Sequence, residues 1–586
     1  MRAALALVSG PAACFAAIGL CRCDSASADS RDKAAVAPDA AKEILEDANS
    51  PIIFVLPPPP GASESAADGS SASVAECGAG PSTGACGFAS DSASNAPPSD
   101  GLQASTSDAA ADASLCDESR DPQVASCVLS DLDGVFVAMP ACDAAEECDG
   151  GIAGFGGDDL AGDGTAAKPF ASIAQALVNL KGRSRIYLCD GVYAERVVLT
   201  APVSLFGGLS CAPGGWRYDG GETDVNSPSA DLALSVVGLD NARPVTIADI
   251  SFFTPDAIGV DAQGNGNSSI VAWVSSSAVD FVRVVLAAGR GANGADGIMQ
   301  NNYTIPAPAG GGMDPVSTTC IYHDMPSGPP DSSAGGTAGD MQNPPGDGSA
   351  YPPPVTSAGR DGLGMTMGDP GADGTPRLGG ACAAAGDFGS LTSTAWSPSS
   401  GGPGQAGRPG QGGGGGGFNE TVDSLYSGGS GGSGGCGGAG GTGGKGGGAS
   451  LALVSVASTV NLSSSSLQTS QAGSGGQGGK GQTGQPGALG SIINDPYTNP
   501  GGTGGNGAGG GGGGGGSGGI SAGILYSGRE PTFDPTTTGI FPGLGGAGGD
   551  PGPGGAGGTN VLGTAPDGYD GEMGIAGASV AVVGPL

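Results

Sequence analysis

Long glycine-rich tracts set the tightest limit on what this chain can fold into; the longest unbroken run is Gly509 to Gly516. Glycine loses more conformational freedom on ordering than any other residue and brings no side chain to bury, so such tracts cannot build an ordinary hydrophobic core. With 121 Gly and 44 Pro among 586 residues, these two types fill more than a quarter of the chain, against roughly 12% in ordinary proteins. One compact globule is therefore excluded. Charge narrows the partners as well. Lys and Arg number 21 against 56 Asp and Glu, a net charge of −35, and a field of that sign repels phosphate backbones, which argues against nucleic acid.

The first 28 residues carry Arg2, an apolar stretch from Ala3 to Leu20 and the A-x-A site Ala26-Ser27-Ala28, the layout of a secretory signal peptide. A lipoprotein tether through Cys21 or Cys23 is the competing reading, although Leu20 and Arg22 are not the small residues that bacterial lipid attachment favours. No later segment is long and apolar enough to span a bilayer. The sequence therefore reads as secreted or outer-surface, an oxidising address. Of 14 cysteines, Cys14, Cys21 and Cys23 lie in the leader. The others read as local pairs: Cys77-Cys86, Cys116-Cys127, Cys142-Cys148, Cys189-Cys211 and Cys320-Cys382, which leaves Cys436 unpaired. The absence of C-x-x-C after the leader, with His323 the only histidine, counts against zinc.

Residues 29–133 are rich in Ala, Ser, Asp and Pro, include Pro57 to Pro60, and bury too little to offset backbone ordering; a disordered acidic stalk is expected. Its apolar run Ile52 to Leu56 is either a partner-binding strand or an isolated patch. Order is expected from 134 onward. Phe170, Ile173, Ala174, Leu177 and Leu180 recur at helical spacing behind Pro169 and before Gly182, predicting a helix over 170–181. Short strands follow at 185–188, 196–199 and 203–206, separated by turns too brief for helical crossovers. Three strands in roughly 20 residues is the rhythm of a parallel β-solenoid. Cys189 and Cys211 stand one rung apart, within the reach of a disulfide.

An internal repeat supports the same reading. The segment from Ser269, SIVAWVSSSAVDFVRVVLAAGRGANG, lies without gaps over that from Ser450, SLALVSVASTVNLSSSSLQTSQAGSG, so that Val279 falls on Val460, Phe281 on Leu462 and Leu286 on Leu467. A weaker copy starts at Ile520, and the chain closes with Ala578 to Val583. The glycine tracts at about 287–448, 472–518 and 543–577 are then excursions from one solenoid spanning 134–586. Their conformation is less determined. Collagen register holds for only a few triplets around 404–410 and 549–558, and Gly431 to Gly448 lacks the Asp that calcium-binding nonapeptides need. Packed polyproline-II-type glycine helices and mobile loops remain as the two readings.

The run Gly156-Gly157-Asp158-Asp159-Leu160-Ala161-Gly162-Asp163-Gly164-Thr165, followed by Lys168 to Ile173, Ile186-Tyr187-Leu188 and Gly191 to Glu195, resembles the opening of right-handed parallel β-helix proteins of the pectin-lyase-like superfamily. Val203 to Leu209, Gly215-Trp216 and the glycine excursions look like secreted PGRS-like proteins of bacteria. The resemblance implies an all-β fold, a right-handed parallel β-helix with an N-terminal capping helix, and says little about activity.

Superfamily lyases use Lys or Arg as base, often with calcium on acidic groups, and the hydrolases use clustered Asp. Here Arg196, Arg283, Asp249 and Asp280 read as isolated solvated charges, and His323 as a loop residue. No catalytic residue is assigned. Asp158, Asp159 and Asp163 are the calcium candidates, with turn formation as their alternative role. Two functions follow as expectations. One is a non-enzymatic secreted or cell-surface protein of structural or adhesion type, with extracellular matrix, a cell-surface component or polysaccharide as partner. The other is a carbohydrate-active β-helix protein acting on acidic polysaccharide.

Overall fold

The computed structural model describes residues 116–117, 120–141, 155–211, 215–239, 243–321, 330–353, 359–362, 366–381, 387–421, 424–492 and 498–584. All belong to the compact unit Ser114–Leu586. The leader, most of the stalk, Cys77-Cys86, Cys142-Cys148, Cys382 and His323 lie outside the described residues.

Three parallel sheets make the body. The first runs through Gly134–Val137, Arg185–Cys189, Ser204–Ser210, Val245–Ala248, Ala278–Val282, Thr459–Ser463 and Thr532–Phe533. The second stacks Gly191–Tyr193, Thr223–Asn226, Ser251–Phe253, Val285–Ala287, Ser466–Gln468 and Gly539–Phe541. The third stacks Val197–Leu199, Leu234–Val237, Ser269–Ser275, Ser450–Val456, Ser521–Ser527 and Ser579–Val583. From Arg185 onward the chain visits the sheets in the order first, second, third in each turn, which makes a parallel solenoid.

Inward positions form unbroken apolar ladders. In the first sheet Val135, Ile186, Leu205, Ile247, Phe281, Leu462 and Phe533 pair in sequence from rung to rung. In the second, Tyr193, Val225, Phe252, Leu286, Leu467 and Ile540 do the same. The middle strands of the third sheet, Ser269–Ser275 and Ser450–Val456, are buried on both faces, which is why they read as continuous rather than alternating apolar runs. Ile270, Leu451, Ala522 and Val580 form an outward ladder there, covered by Trp396, Phe388 and Leu391.

In the middle rungs two of the three corners are tight. Between the third and first sheets a left-handed residue directly follows the strand, Gly238, Ser276, Ala457 and Gly528, at φ 76°, 48°, 48° and 98°, and at Ser276 and Ala457 the next strand starts two residues later. Between the first and second sheets Asp249, Arg283 and Ser464 serve, at φ 59°, 55° and 51°. The next residue is often a hydroxyl that satisfies an amide of the neighbouring rung, as when Ser277 Oγ accepts from Leu239 N at 3.1 Å and Ser458 Oγ from Ser277 N at 3.2 Å.

The third corner, from the second sheet to the third, is where every glycine excursion leaves and returns. The excursions are ordered. Segments 366–381, 399–417, 427–449, 471–491, 499–519, 543–558 and 565–578 lie side by side and exchange backbone hydrogen bonds every third residue. Gly504, Gly507, Gly510, Gly513, Gly516 and Gly519 donate to Ala488, Gln485, Gln482, Gly479, Gly476 and Gly473 in turn. A three-residue repeat whose bonds all go to neighbours is the signature of polyproline-II helices, which have no internal hydrogen bonds. The 499–519 rod is central: it bonds to each of the other six segments just named, and these form a ring around it.

The beginning differs from expectation in two ways. Residues 120–133 are folded against the solenoid rather than belonging to a stalk: Val128 is fully buried, its carbonyl accepts from Tyr187 Oη, and Arg185 Nη1 donates to Arg120 O at 2.9 Å. The expected capping helix over 170–181 shrinks to Ile173–Val178, which puts Ile173 and Ala176 in the core and is too short to close the end of a coil alone. Its first amides are held from outside, Ile173 N and Ala174 N donating to Glu195 at 2.8 and 2.9 Å. Lys181 and Gly182, both at positive φ, turn the chain away from it.

Disulfides join Cys116 to Cys127, Cys189 to Cys211 and Cys320 to Cys436, with Cα separations of 5.9, 5.6 and 5.7 Å. Cys189–Cys211 joins the end of Arg185–Cys189 to the residue just after Ser204–Ser210, the next strand of the first sheet. Cys436 is bonded rather than unpaired, and Cys320 reaches across 116 residues to it instead of to Cys382. The partner is chosen by packing, since Cys436 sits on the 427–449 rod. Three disulfides point to an extracellular protein. Among the described residues no helix is long and apolar enough to cross a membrane.

Candidate functional site

The calcium candidates are not brought together. Asp158 Oδ1 accepts from Leu160 N and Ala161 N at 2.8 and 3.0 Å, an Asx turn. Asp163 Oδ1 accepts from the Thr165 amide and hydroxyl at 3.1 and 2.7 Å. Asp159 instead reaches Ala171 N, Ser172 N and Ser172 Oγ at 2.8, 3.0 and 2.8 Å, fixing the entry to the short helix. These bonds to the charged form hold the Asp158 and Asp163 carboxyls below their ordinary value, as expected of turn formers. Cys189, Cys211 and Asp190 do place donor atoms within 4.8 Å of one another. Both sulfurs are committed to the disulfide, so the trio has no thiolate to offer a metal.

Arg283 and Asp249, expected as isolated charges, are partners. They occupy the same corner in successive rungs, and the guanidinium meets both Asp249 oxygens at 2.7 Å and Asp121 at 3.0 Å. Tyr218 Oη donates to Asp249 Oδ1 at 3.1 Å. The hydrogen bonds to Asp249 raise the Arg283 guanidinium above its ordinary value, so this arginine is no base near neutrality. Its role is to tie the 120–133 segment to the corner. Arg283→Met is expected to cost roughly 2–3 kcal/mol by leaving the Asp249 carboxylate nearly buried without its cation; an unchanged thermal melt would return it to the class of solvated charges.

Asp280 lies on the outward face of the first sheet and accepts from Asn461 Nδ2 at 2.7 Å. Arg196 lies elsewhere, in a groove of about 330 Å³ between the third sheet and the hairpin Gly389–Leu391/Trp396–Pro398, which it shares with Asp231, Asp261, Trp273 and Trp396. Trp273 Nε1 donates to Ser393 O at 3.3 Å. Asp261 Oδ1 is tied into its own turn, accepting from Gln263 N and Asn265 N at 2.9 and 2.8 Å, and Oδ2 takes Asn265 Nδ2 at 3.2 Å. The groove thus joins an aromatic floor to Arg196 and Asp231. Of its two carboxylates, Asp261 is held in its own turn.

A second cavity, about 520 Å³, lies on the glycine bundle and is lined by Thr375, Arg377, Leu378, Gln405, Arg408 and Tyr569, with Pro376. Sequence reasoning missed both grooves, because their walls come from segments that adjoin only after the rods have packed. No family model, no curated protein and no solved structure matches the chain.

Proposed function

We propose that this is a non-enzymatic, secreted or cell-surface scaffold of the right-handed, pectin-lyase-like β-helix kind, in which a disulfide-stapled solenoid holds a rigid glycine-helix bundle out for adhesion or matrix contact. The observation that carries this reading is that every excursion leaves through one corner and joins one hydrogen-bonded bundle. Loops that merely tolerate insertion have no reason to share a corner or a register. The acidic groups that sequence offered for chemistry are spent on turns, the helix start, a corner ion pair and, at Asp280, a bond to Asn461 on the next rung.

A carbohydrate-active protein is the second reading, favoured by the aromatic groove with Trp273, Trp396, Arg196 and Asp231. One experiment separates them. The purified chain is incubated with calcium and a panel of acidic polysaccharides, and unsaturated product and new reducing ends are read in parallel, while antibody labelling of intact producing cells and of the medium locates the protein. Surface or medium location without product is expected. Product release makes the protein an enzyme, and confinement to the cytoplasm overturns the display reading.

A further inference from the structure

The groove between the third sheet and the hairpin Gly389–Leu391/Trp396–Pro398 holds two opposite charges that do not pair. Arg196 and Asp231 both line its volume of about 330 Å³. Both are exposed, and among the described residues neither has a hydrogen-bond or ion-pair partner. The strands fix their spacing. Val197 pairs with Leu234, and Val197 N donates to Ala233 O at 2.8 Å. Arg196 therefore stands one rung across from Ala233, and Asp231 lies two residues before Ala233. One rung of ~4.8 Å and two strand steps of ~3.3 Å set the two Cα atoms roughly 8 Å apart. A small ligand entering between the side chains meets one cation and one anion.

The third charged group on the wall is already engaged. Asp261 accepts three hydrogen bonds from its own turn, which leaves one unspent charge of each sign. Apolar side chains make the floor: Leu232, Ile270, Trp273 and Trp396 line the groove and belong to the cluster on the outward face of the third sheet. The Trp273 indole is held by its bond to Ser393 O at 3.3 Å, so this part of the floor is set before any ligand arrives.

We infer that this groove binds a zwitterionic amino acid with an apolar side chain, its α-carboxylate on Arg196, its α-ammonium on Asp231 and its side chain against Trp273 and Trp396. The chemistry of the wall selects that class. A guanidinium fork matches a carboxylate in a bidentate manner, and an ionised carboxylate accepts the N–H donors of an ammonium. An aromatic floor favours an aromatic or aliphatic side chain over a polar one. The volume lies at the lower end of the range for small-ligand sites, which suits one amino acid. A neutral sugar brings neither charge. The inference goes beyond both functional readings, since surface display needs no amino acid and polysaccharide chemistry uses none.

The test is calorimetric titration of the full chain, in low-salt buffer, with L-phenylalanine, glycine, N-acetyl-L-phenylalanine and L-phenylalanine amide. Wild type is expected to bind L-phenylalanine and to bind each of the other three about tenfold more weakly, since they lack the side chain, the ammonium and the carboxylate in turn. Two variants assign the contacts. Arg196→Gln should bind L-phenylalanine and its amide equally, because the carboxylate has lost its partner, and should still discriminate against the acetyl form. Asp231→Asn should do the reverse. Both residues are exposed and make no bond within the described chain, so the melting curves should not change. Wild type that binds none of the four or all four alike overturns the inference. So does an amide penalty that survives Arg196→Gln, or an acetyl penalty that survives Asp231→Asn.

Discussion

Gly510→Ala is expected to break up the glycine bundle, although the change adds one methyl group to a residue that the sequence surrounds with other glycines. A Cβ at 510 would stand 1.9 Å from Ala439 O, and the neighbouring positions are no freer: at 511 it meets Leu378 O at 2.4 Å and at 512 Gly552 O at 1.9 Å. Three successive residues of a polyproline-II helix point to three faces, and here all three meet backbone. Backbone carbonyls cannot swing aside like a side-chain tip, because each rod is pinned to its neighbours every third residue. Relief requires moving a whole rod outward and losing its hydrogen bonds, so the cost should exceed the ~1–3 kcal/mol of ordinary overpacking. The matched control is Gly311→Ala, where the added methyl meets nothing within 4 Å; its effect should stay within ~0.5 kcal/mol. Hydrogen exchange reads both. Protection across 499–519 should collapse in the first variant and persist in the second, while the strand Arg185–Cys189 keeps its protection in both. Wild-type protection at 499–519 in Gly510→Ala would mean the rods do not pack at this distance.

The same geometry explains the spelling of the tracts. The central rod meets neighbours on all sides and is glycine almost without interruption from 507 to 516. The 427–449 rod reads GGx, as in Gly431-Gly432-Ser433-Gly434-Gly435-Cys436, because the third face turns toward the layer that carries Cys320. Edge rods need glycine chiefly at every third position, as at Gly568, Gly571, Gly574 and Gly577. A period of three was therefore present in the sequence, and it separates packed glycine helices from mobile loops. What it does not carry is which rod lies beside which, since any GGx tract fits any other. Arg377 and Arg408 could not be paired by reading, and neither could Cys320 and Cys436.

The solenoid was far more legible, because side chains there carry register. The gapless overlay of Ser269 on Ser450 is the physical pairing: Ile270 meets Leu451, Val279 meets Val460, Phe281 meets Leu462 and Leu286 meets Leu467 on adjacent strands, an offset of 181 residues. Stacked rungs place like residues on like, so a repeat in the sequence becomes a ladder in space. Departures arose where neighbours decide. The helix near 173 was read as longer than it is, because Leu177 and Leu180 pack at its frayed end with apolar spacing that a helix and an irregular turn share.

Leu205→Asp is expected to abolish cooperative folding. Leu205 is fully buried, stacked between Ile186 on the rung before and Ile247 on the rung after. The substitution removes about 2–3 kcal/mol of apolar burial. It also places a carboxylate inside the ladder, where desolvating an unpaired charge costs several kcal/mol more. Domains commonly hold only about 5–15 kcal/mol in total, and a solenoid cannot confine the damage, since every later rung is templated on the one beneath it. The comparison that isolates burial from charge is Val198→Asp: Val198 lies on the outward face of Val197–Leu199 and is 43% exposed, so its loss should stay near 0.5 kcal/mol. Thermal melting by circular dichroism distinguishes the pair, with a sigmoidal transition retained for Val198→Asp and lost for Leu205→Asp. A wild-type melt from Leu205→Asp would require the first sheet to present its other face to the core. Ile186, Ile247, Phe281 and Leu462 would then have to turn outward together, because a register slip of one residue reverses every side chain on the strand.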